Sequence, residues 1–254
     1  MSPELEAAIQ AAREAGRLQS RRFRRQQDVE NKADDTPVTA TDRESEARIR
    51  RRLYASFPTY GFLGEEGGET SGEGSVRWIV DPLDGTKKYV RGLPFFGPCI
   101  ALERDGELVL GVMYLPAMKE MYWAEAGGGA FLNGQSIHVS MVDRLERAYV
   151  VLGDDAGFLE RGWGAALEAA VGATYHDPGF LDLYTYGCLA AGRIDGIVMV
   201  GEAPWDIAAA SVIVEEAGGR LTDFAGLRSV YHGTSVTSNG QIHNSLLALL
   251  QNCR

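Results

Sequence analysis

An apolar run, Trp78-Ile79-Val80, leads directly into Asp81-Pro82-Leu83-Asp84-Gly85-Thr86. The run reads as a buried strand. The chain must therefore bring two carboxylates, a glycine and a hydroxyl to one strand end within six residues. Carboxylate oxygens suit hard cations such as Mg²⁺. A Gly-Thr pair that opens a turn or helix offers backbone N–H groups to an anion such as phosphate. Metal donors beside an anion cradle are the components of metal-assisted phosphoryl chemistry. Asp, Pro and Gly are also common turn residues, so the remainder of the chain has to decide between a turn and a site.

The 254 residues are enough for one large domain or two packed lobes. No apolar run approaches the roughly 20 residues of a membrane span. The acidic start Met1-Ser2-Pro3-Glu4-Leu5-Glu6 lacks the basic-then-apolar pattern of a secretory signal. Cys99, Cys188 and Cys253 are odd in number and unevenly spaced, which argues against a disulfide framework and for a reduced, cytoplasmic setting. The net charge of −10 is opposite to that of a nucleic-acid binder. Two basic runs, Arg21-Arg22-Phe23-Arg24-Arg25 and Arg48 with Arg50-Arg51-Arg52, fall near the C-terminal ends of predicted helices. Cations complement the helix dipole there, so the runs read as solvated faces, with a phosphate or RNA contact as the alternative.

Ser2-Pro3 reads as a helix start, with a capping serine and a proline at the first helical position. Leu5, Ala8, Ile9, Ala12, Ala15 and Leu18 continue it at helical spacing. Asp28 to Val38 is polar and reads as a loop or short hairpin. A second helix opens at Thr41-Asp42-Arg43-Glu44, read as a capping box, and stops before Pro58. Strand signals dominate from Phe95 to Val139 and include Asn133-Gly134, a two-residue hairpin turn. This half, residues 1–142, reads as two helices on a large antiparallel sheet. Residues 143–254 alternate strand and helix as an α/β lobe: a strand at Tyr149 to Leu152, helices at Leu159 to Val171, Leu181 to Ala191 and Asp206 to Ala217, and a buried strand at Ile194 to Val200.

Acidic residues gather at element boundaries: Asp42 in the first turn of the second helix, Glu65 and Glu66 after Phe62-Leu63, Asp81 and Asp84 at the Trp78 strand, and Asp206 after Pro204-Trp205. Each helix-start Asp can be a simple cap. Taken together, clustered and partly buried carboxylates without cations would be strongly unfavourable, and metal binding removes that cost.

With these residues in view, the chain resembles the inositol monophosphatase family. The resemblance is carried by Val38-Thr39-x-x-Asp42, Gly64-Glu65-Glu66, Asp81-Pro82-Leu83-Asp84-Gly85-Thr86, and Trp205-Asp206 through Glu216-Ala217-Gly218-Gly219. It spans nearly the whole chain. It implies a five-layered αβαβα sandwich of the inositol monophosphatase/fructose-1,6-bisphosphatase type, a homodimer, and two or three Mg²⁺. By the same resemblance, Glu65, Asp81 and the Leu83 carbonyl would hold one Mg²⁺, and Asp81, Asp84 and Asp206 a second. A third would share Glu65. Gly85 and Thr86 N–H groups would bind phosphate. Thr86, bonded to Asp42, would orient and help deprotonate the attacking water, with Glu66 in support. Lys32 matches a lysine that approaches the metal and phosphate region.

The reaction is better defined than the ester. Lys87 directly after Thr86 resembles the histidinol-phosphatase and adenosine-bisphosphate branches, and Arg91-Gly92-Leu93-Pro94 resembles the histidinol-phosphatase branch. That branch also places an acid at Asp182, where a carboxylate suits an amine or imidazolium; a helix-start Asp is the plainer reading. Inositol-type members carry a glutamate seven residues before the Asp206 position, where this chain has Met199. Without a gap that acid is missing; with one, Glu202 takes its place. Histidinol phosphate leads, inositol 1-phosphate or a related polyol or sugar monophosphate follows, and a bisphosphate nucleotide is third. From another class, a regulatory RNA-associated protein retaining the fold rests only on the Arg-rich helix ends. Cys99 and Cys188 read as core, and His138, His176, His232 and His243 as surface or loop residues.

Overall fold

The computed structural model describes residues 1–25, 29–32, 36–153, 155–179 and 182–252. Asp28, Leu181 and Cys253, which enter the sequence expectations, lie outside the described residues.

The chain begins with α1 (Pro3–Arg22), a hairpin of β1 (Val29–Asn31) and β2 (Pro37–Thr39), and α2 (Ala40–Ser56). The α1 start is as expected: Ser2 Oγ accepts from Leu5 N at 3.1 Å, and the apolar stripe from Leu5 to Leu18 is buried. The α2 cap differs. Thr39, not Thr41, is the N-cap, and Asp42 occupies the third helical position of the capping box. The sequence offers two threonines, and the one that can exchange bonds reciprocally with Asp42 prevails.

The next elements are β3 (Gly61–Gly64), β4 (Gly68–Thr70), β5 (Val76–Asp84), α3 (Thr86–Val90), β6 (Gly97–Arg104), β7 (Glu107–Leu115), β8 (Glu120–Glu125), β9 (Ala130–Leu132) and β10 (Gln135–Ile137). Their strands form an eight-stranded sheet in the order β10-β9-β8-β7-β6-β5-β3-β4. The sheet is antiparallel except for β3 and β5, which run parallel. The expectation of an all-antiparallel sheet fails there because the segment from Gly64 to Ser75 returns the chain to the same end. The Asn133-Gly134 turn joins β9 and β10, with both residues at positive φ (50° and 87°).

The remaining elements are β11 (Val150–Leu152), α4 (Asp155–Glu160), α5 (Gly164–Ala173), α6 (Leu183–Ala190), β12 (Gly196–Val200), α7 (Pro204–Glu216), β13 (Arg220–Thr222), β14 (Thr234–Ser238) and α8 (His243–Asn252). The single helix expected from Leu159 to Val171 is two helices, broken at Gly162, whose φ of 77° ends the first. The second sheet has the order β11-β12-β14-β13. His243 is fully buried, contrary to a surface or loop placement. Its ring nitrogens meet Thr222 Oγ1 and Ser238 Oγ, each at 3.0 Å, and burial pushes its pKa down to about 4.

The elements stack in five layers. The pair α1 and α2 covers one face of the large sheet, and α7 and α6 cover the other. The small sheet lies beyond α7 and α6, and α4, α5 and α8 close the far side. This is the αβαβα sandwich expected from the resemblance. One core joins Met113 and Tyr122 of the large sheet to Ile207, Val212 and Ile213 of α7.

Close seating of α7 has a sequence cause. Ala101, Gly111, Ala124 and Ala130 are successive cross-strand neighbours on β6, β7, β8 and β9. They form a shallow row under the helix. A Cβ at Gly111 would stand 2.2 Å from the Ala209 carbonyl oxygen, so only glycine admits the α7 backbone at this depth.

Several arginines of the basic runs are held by partners within the chain. Arg22 and Arg48 share Glu44, Arg52 faces Glu14, and Arg24 donates to the Gly92 carbonyl.

Gly111→Val should lower stability by about 1–3 kcal/mol through overpacking, read as a lower Tm. Gly172→Ala, in α5 with open space around its Cβ, should raise stability by about 0.4–1 kcal/mol. Equal Tm values for the two variants would contradict the tight seating of α7.

Candidate active site

Strand β5 does not end at Val80. It continues to Asp84 with a register shift: Asp81 pairs with Cys99 and Asp84 with Gly97. Three steps on β5 thus match two on β6, which is a β-bulge. Regular pleating alternates side chains between faces, so residues three apart would diverge. The extra residue turns Asp81 and Asp84 to one face, the side of Ile79 and α7. Pro82 is tolerated because a bulge interrupts the ladder. The Pro82 carbonyl is taken by Gln19 Nε2 at 2.7 Å, from the fully buried side of α1.

After the bulge, Gly85 has φ 81° and stands at the N-cap of α3. A Cβ there would lie 2.4 Å from the Phe95 carbonyl oxygen, so conformation and space both demand glycine. Thr86 Oγ1 lies 2.7 Å from Asp42 Oδ1 and 2.9 Å from the Leu83 carbonyl. The other Asp42 oxygen accepts from Thr39 N at 2.9 Å and Thr39 Oγ1 at 2.5 Å. Asp42 is 1% exposed. Burial pushes its pKa up, and the bonds from Thr39 and Thr86 pull the other way.

The acidic residues converge from three segments. Glu65 follows β3, Asp81 and Asp84 flank the bulge, and Asp206 occupies the third position of α7. Backbone N–H groups orient three of them: Leu83 N donates to Asp81 (2.8 Å), Leu183 N to Asp84 (2.5 Å) and Ala203 N to Asp206 (2.7 Å). Burial first, then the charges of Glu65, Asp84 and Asp206, push Asp81 well above the usual carboxylate range. Burial and the charges of Asp182 and Asp206 do the same to Asp84. Asp206 is pushed up to about 7, by burial above all.

Lys32 Nζ lies 2.7 Å from Glu65 and 2.6 Å from Glu66. Burial works against the ammonium, but these two carboxylates hold its pKa above the ordinary value. Burial raises the Glu66 pKa and the Lys32 bond opposes it. Among the described residues no three Asp, Glu, His or Cys side chains close into a ready-made metal cage. The donors instead line a cleft. Their chemistry fits Mg²⁺: all are oxygens, they carry an excess of negative charge, and burial, then mutual repulsion, raises the pKa values of Asp81, Asp84 and Asp206, a cost that a cation would relieve.

The cleft has a volume of about 490 Å³ and brings Glu65, Asp81, Leu83, Asp84, Gly85, Thr86 and Asp206 together with Lys87, Asp182, Met199 and Glu202. Asp42, Glu66 and Lys32 do not line it; Asp42 is bonded to Thr86, and Lys32 to Glu65 and Glu66. Asp182 is the residue before α6, yet its side chain makes no capping bond. It pairs with Lys88 at 2.7 Å and 3.0 Å through its two oxygens. Glu202 accepts from the Tyr186 hydroxyl and from Ser235 Oγ (2.6 Å), and burial lifts its pKa to about 7.

Sequence reasoning missed Gln19, Glu46 and Lys88. Gln19 had a legible signal: it extends the apolar stripe of α1 one turn beyond Ala15, where a polar residue needs a buried partner.

Known proteins resemble this chain along its whole length. The model of the inositol monophosphatase family matches residues 1–254. A histidinol-phosphatase of Chlorobaculum parvum is 38% identical, covering 99% of this chain and 98% of its own. An inositol-1-monophosphatase of Mesorhizobium japonicum is 39% identical, covering 96% and 94%. The crystal structure of the extragenic suppressor protein suhB of Bartonella henselae superposes with a TM-score of 0.93 at 34% identity, over 98% of this chain and 99% of that one. The chain belongs to the inositol monophosphatase family and is a phosphoric monoester hydrolase.

Raised carboxyl pKa values mean that the folded chain, in chelator, retains protons the unfolded chain releases. Its stability therefore falls as pH rises from the ordinary 3.8 of Asp206 through its folded value of about 7. Asp84→Asn removes one of the repelling charges. In chelator near pH 8 it should melt above the wild type, by about 2–4 °C per kcal/mol recovered, and decline less between about pH 5 and 8. Identical melting profiles would mean that these charges do not strain the fold.

Proposed function

We propose that the chain hydrolyses a small phosphate monoester with Mg²⁺ as cofactor, and that histidinol phosphate is its leading substrate. The observation that carries the metal assignment is the bulge-aligned pair Asp81 and Asp84, buried and mutually repelling with Asp206. Two or three Mg²⁺ held by Glu65, Asp81, the Leu83 carbonyl, Asp84 and Asp206 would supply positive charge to stabilise hydroxide and the leaving alkoxide.

The chain's own groups perform the remaining work. Thr86 donates its hydroxyl proton to Asp42, which leaves its oxygen facing the cleft as an acceptor. A water that donates to Thr86 Oγ1 is oriented for in-line attack on phosphorus, and its proton can pass through Thr86 to Asp42. The raised pKa of Asp42 favours that acceptance. Gly85 and Thr86 N–H groups would receive phosphate oxygens. Lys32 holds Glu65 and Glu66 in place through its two ion pairs. Most of the acceleration would come from positioning and charge.

On the substrate side, Asp182 and Glu202 make the far cleft acidic, which supports an amine-bearing alcohol product. Lys87 at the cleft and the Chlorobaculum relative add support. Inositol 1-phosphate is the second reading. The Mesorhizobium relative favours it, as does Lys88, which already neutralises Asp182. We extend the proposal to a homodimer in the cytoplasm, on the strength of the family resemblance. Among the described residues, no helix is long and apolar enough to cross a membrane.

Phosphate release measured with and without Mg²⁺, on histidinol phosphate and inositol 1-phosphate, tests the reading. Chelation, Asp81→Asn and Asp206→Asn should each reduce turnover by at least about 100-fold; full activity in either variant would refute the metal assignment. Asp182→Ala should raise KM for histidinol phosphate about tenfold, equivalent to one charged contact of roughly 1.4 kcal/mol, and leave inositol 1-phosphate unaffected. Equal losses on both esters would remove Asp182 from substrate selection.

A further inference from the structure

Helix α2 carries a second buried acid one turn beyond Asp42. Glu46 is 5% exposed and accepts the Glu66 backbone N–H at 2.9 Å. Its carboxylate lies flat against the turn that follows β3. A Cβ at Gly64 would stand 2.5 Å from one Glu46 oxygen, and a Cβ at Gly67 2.4 Å from the other. Neither glycine has positive φ. Their lack of a side chain therefore answers to Glu46, and at Gly64 also to the Phe62 ring at 2.6 Å, and not to backbone conformation. Arg50 backs the carboxylate at 3.8 Å, with its guanidinium 4.2 Å above the Phe62 ring.

The preceding peptide is pinned as well, because Glu65 N donates to the Val80 carbonyl at 3.2 Å. Two successive N–H groups thus fasten the turn at Glu65 and Glu66, one to β5 and one to α2. We infer that Glu46 is a positioning residue: it sets the Glu65–Glu66 turn from the same helix whose Asp42 sets Thr86. One rigid helix, with a rise of about 5.4 Å per turn, would hold the acid side and the hydroxyl side of the site at a constant separation. The inference rests on the metal-dependent reading above.

The test is Mn²⁺ binding followed by electron paramagnetic resonance of the free ion, without substrate, beside Mg²⁺ activation of phosphate release. Glu46→Ala should raise the Mn²⁺ dissociation constant at least about tenfold, as loss of a ligand-orienting bond does elsewhere. Its kcat at saturating Mg²⁺ should stay within about threefold of wild type, while the activating concentration shifts in parallel with Mn²⁺ affinity. Glu46→Gln keeps an acceptor for the Glu66 N–H and should recover Mn²⁺ affinity to within about threefold. Gly67→Ala, which displaces Glu46 without removing it, should reproduce the Glu46→Ala loss and serves if that variant does not fold. Wild-type Mn²⁺ affinity in Glu46→Ala or Gly67→Ala would overturn the inference while leaving the metal site intact. Absence of Mn²⁺ binding to the wild-type protein would overturn both.

Discussion

The site depends on one irregularity, the bulge at Pro82. Without the extra residue, Asp81 and Asp84 would point to opposite faces of the sheet, one toward α1 and α2, the other toward α7. The bulge directs both toward α7, where Asp206 enters from the first helical turn. It also frees the Pro82 carbonyl, which would be costly if left unbonded in the interior. Gln19 satisfies it from α1. The carboxylates gathered there are buried against like charges, so burial and charge oppose each other at the site itself.

The surrounding helices hold this arrangement from both faces of the sheet. On one side, α2 reaches Thr86 through Asp42 and the Glu65–Glu66 turn through Glu46. On the other, α7 is lowered onto a row of alanines and a glycine until Asp206 comes level with the bulge. Each uses the stiffness of a helix packed against a sheet, which is why buried small residues far from the cleft matter to its geometry.

Much of this was legible in the sequence. The helix start at Ser2-Pro3, the Trp78 strand, the Asn133-Gly134 turn and every proposed carboxylate are local patterns with local physical causes. Errors arose where two local patterns compete. Thr39 and Thr41 are both acceptable caps, and only reciprocity with Asp42 separates them. A run from Leu159 to Val171 has helical composition, yet Gly162 divides it. Asp182 reads equally as a substrate-facing acid or a helix cap, and the cap reading fails because its side chain pairs with Lys88, almost a hundred residues earlier in the chain. His243 reads as a polar surface residue because nothing near it in the sequence announces Thr222.

By itself, the sequence determined the chemistry available to this protein: oxygen donors, a glycine-threonine turn, and helices and strands to carry them. Those follow from side-chain identity and short-range backbone preference. Tertiary structure alone decided which donors face one another, that β3 runs parallel to β5, and that Gln19 bonds the Pro82 carbonyl, Glu46 the Glu66 N–H and Lys88 Asp182. These are outcomes of packing between distant segments, where a one-residue shift in register reverses the face a carboxylate occupies.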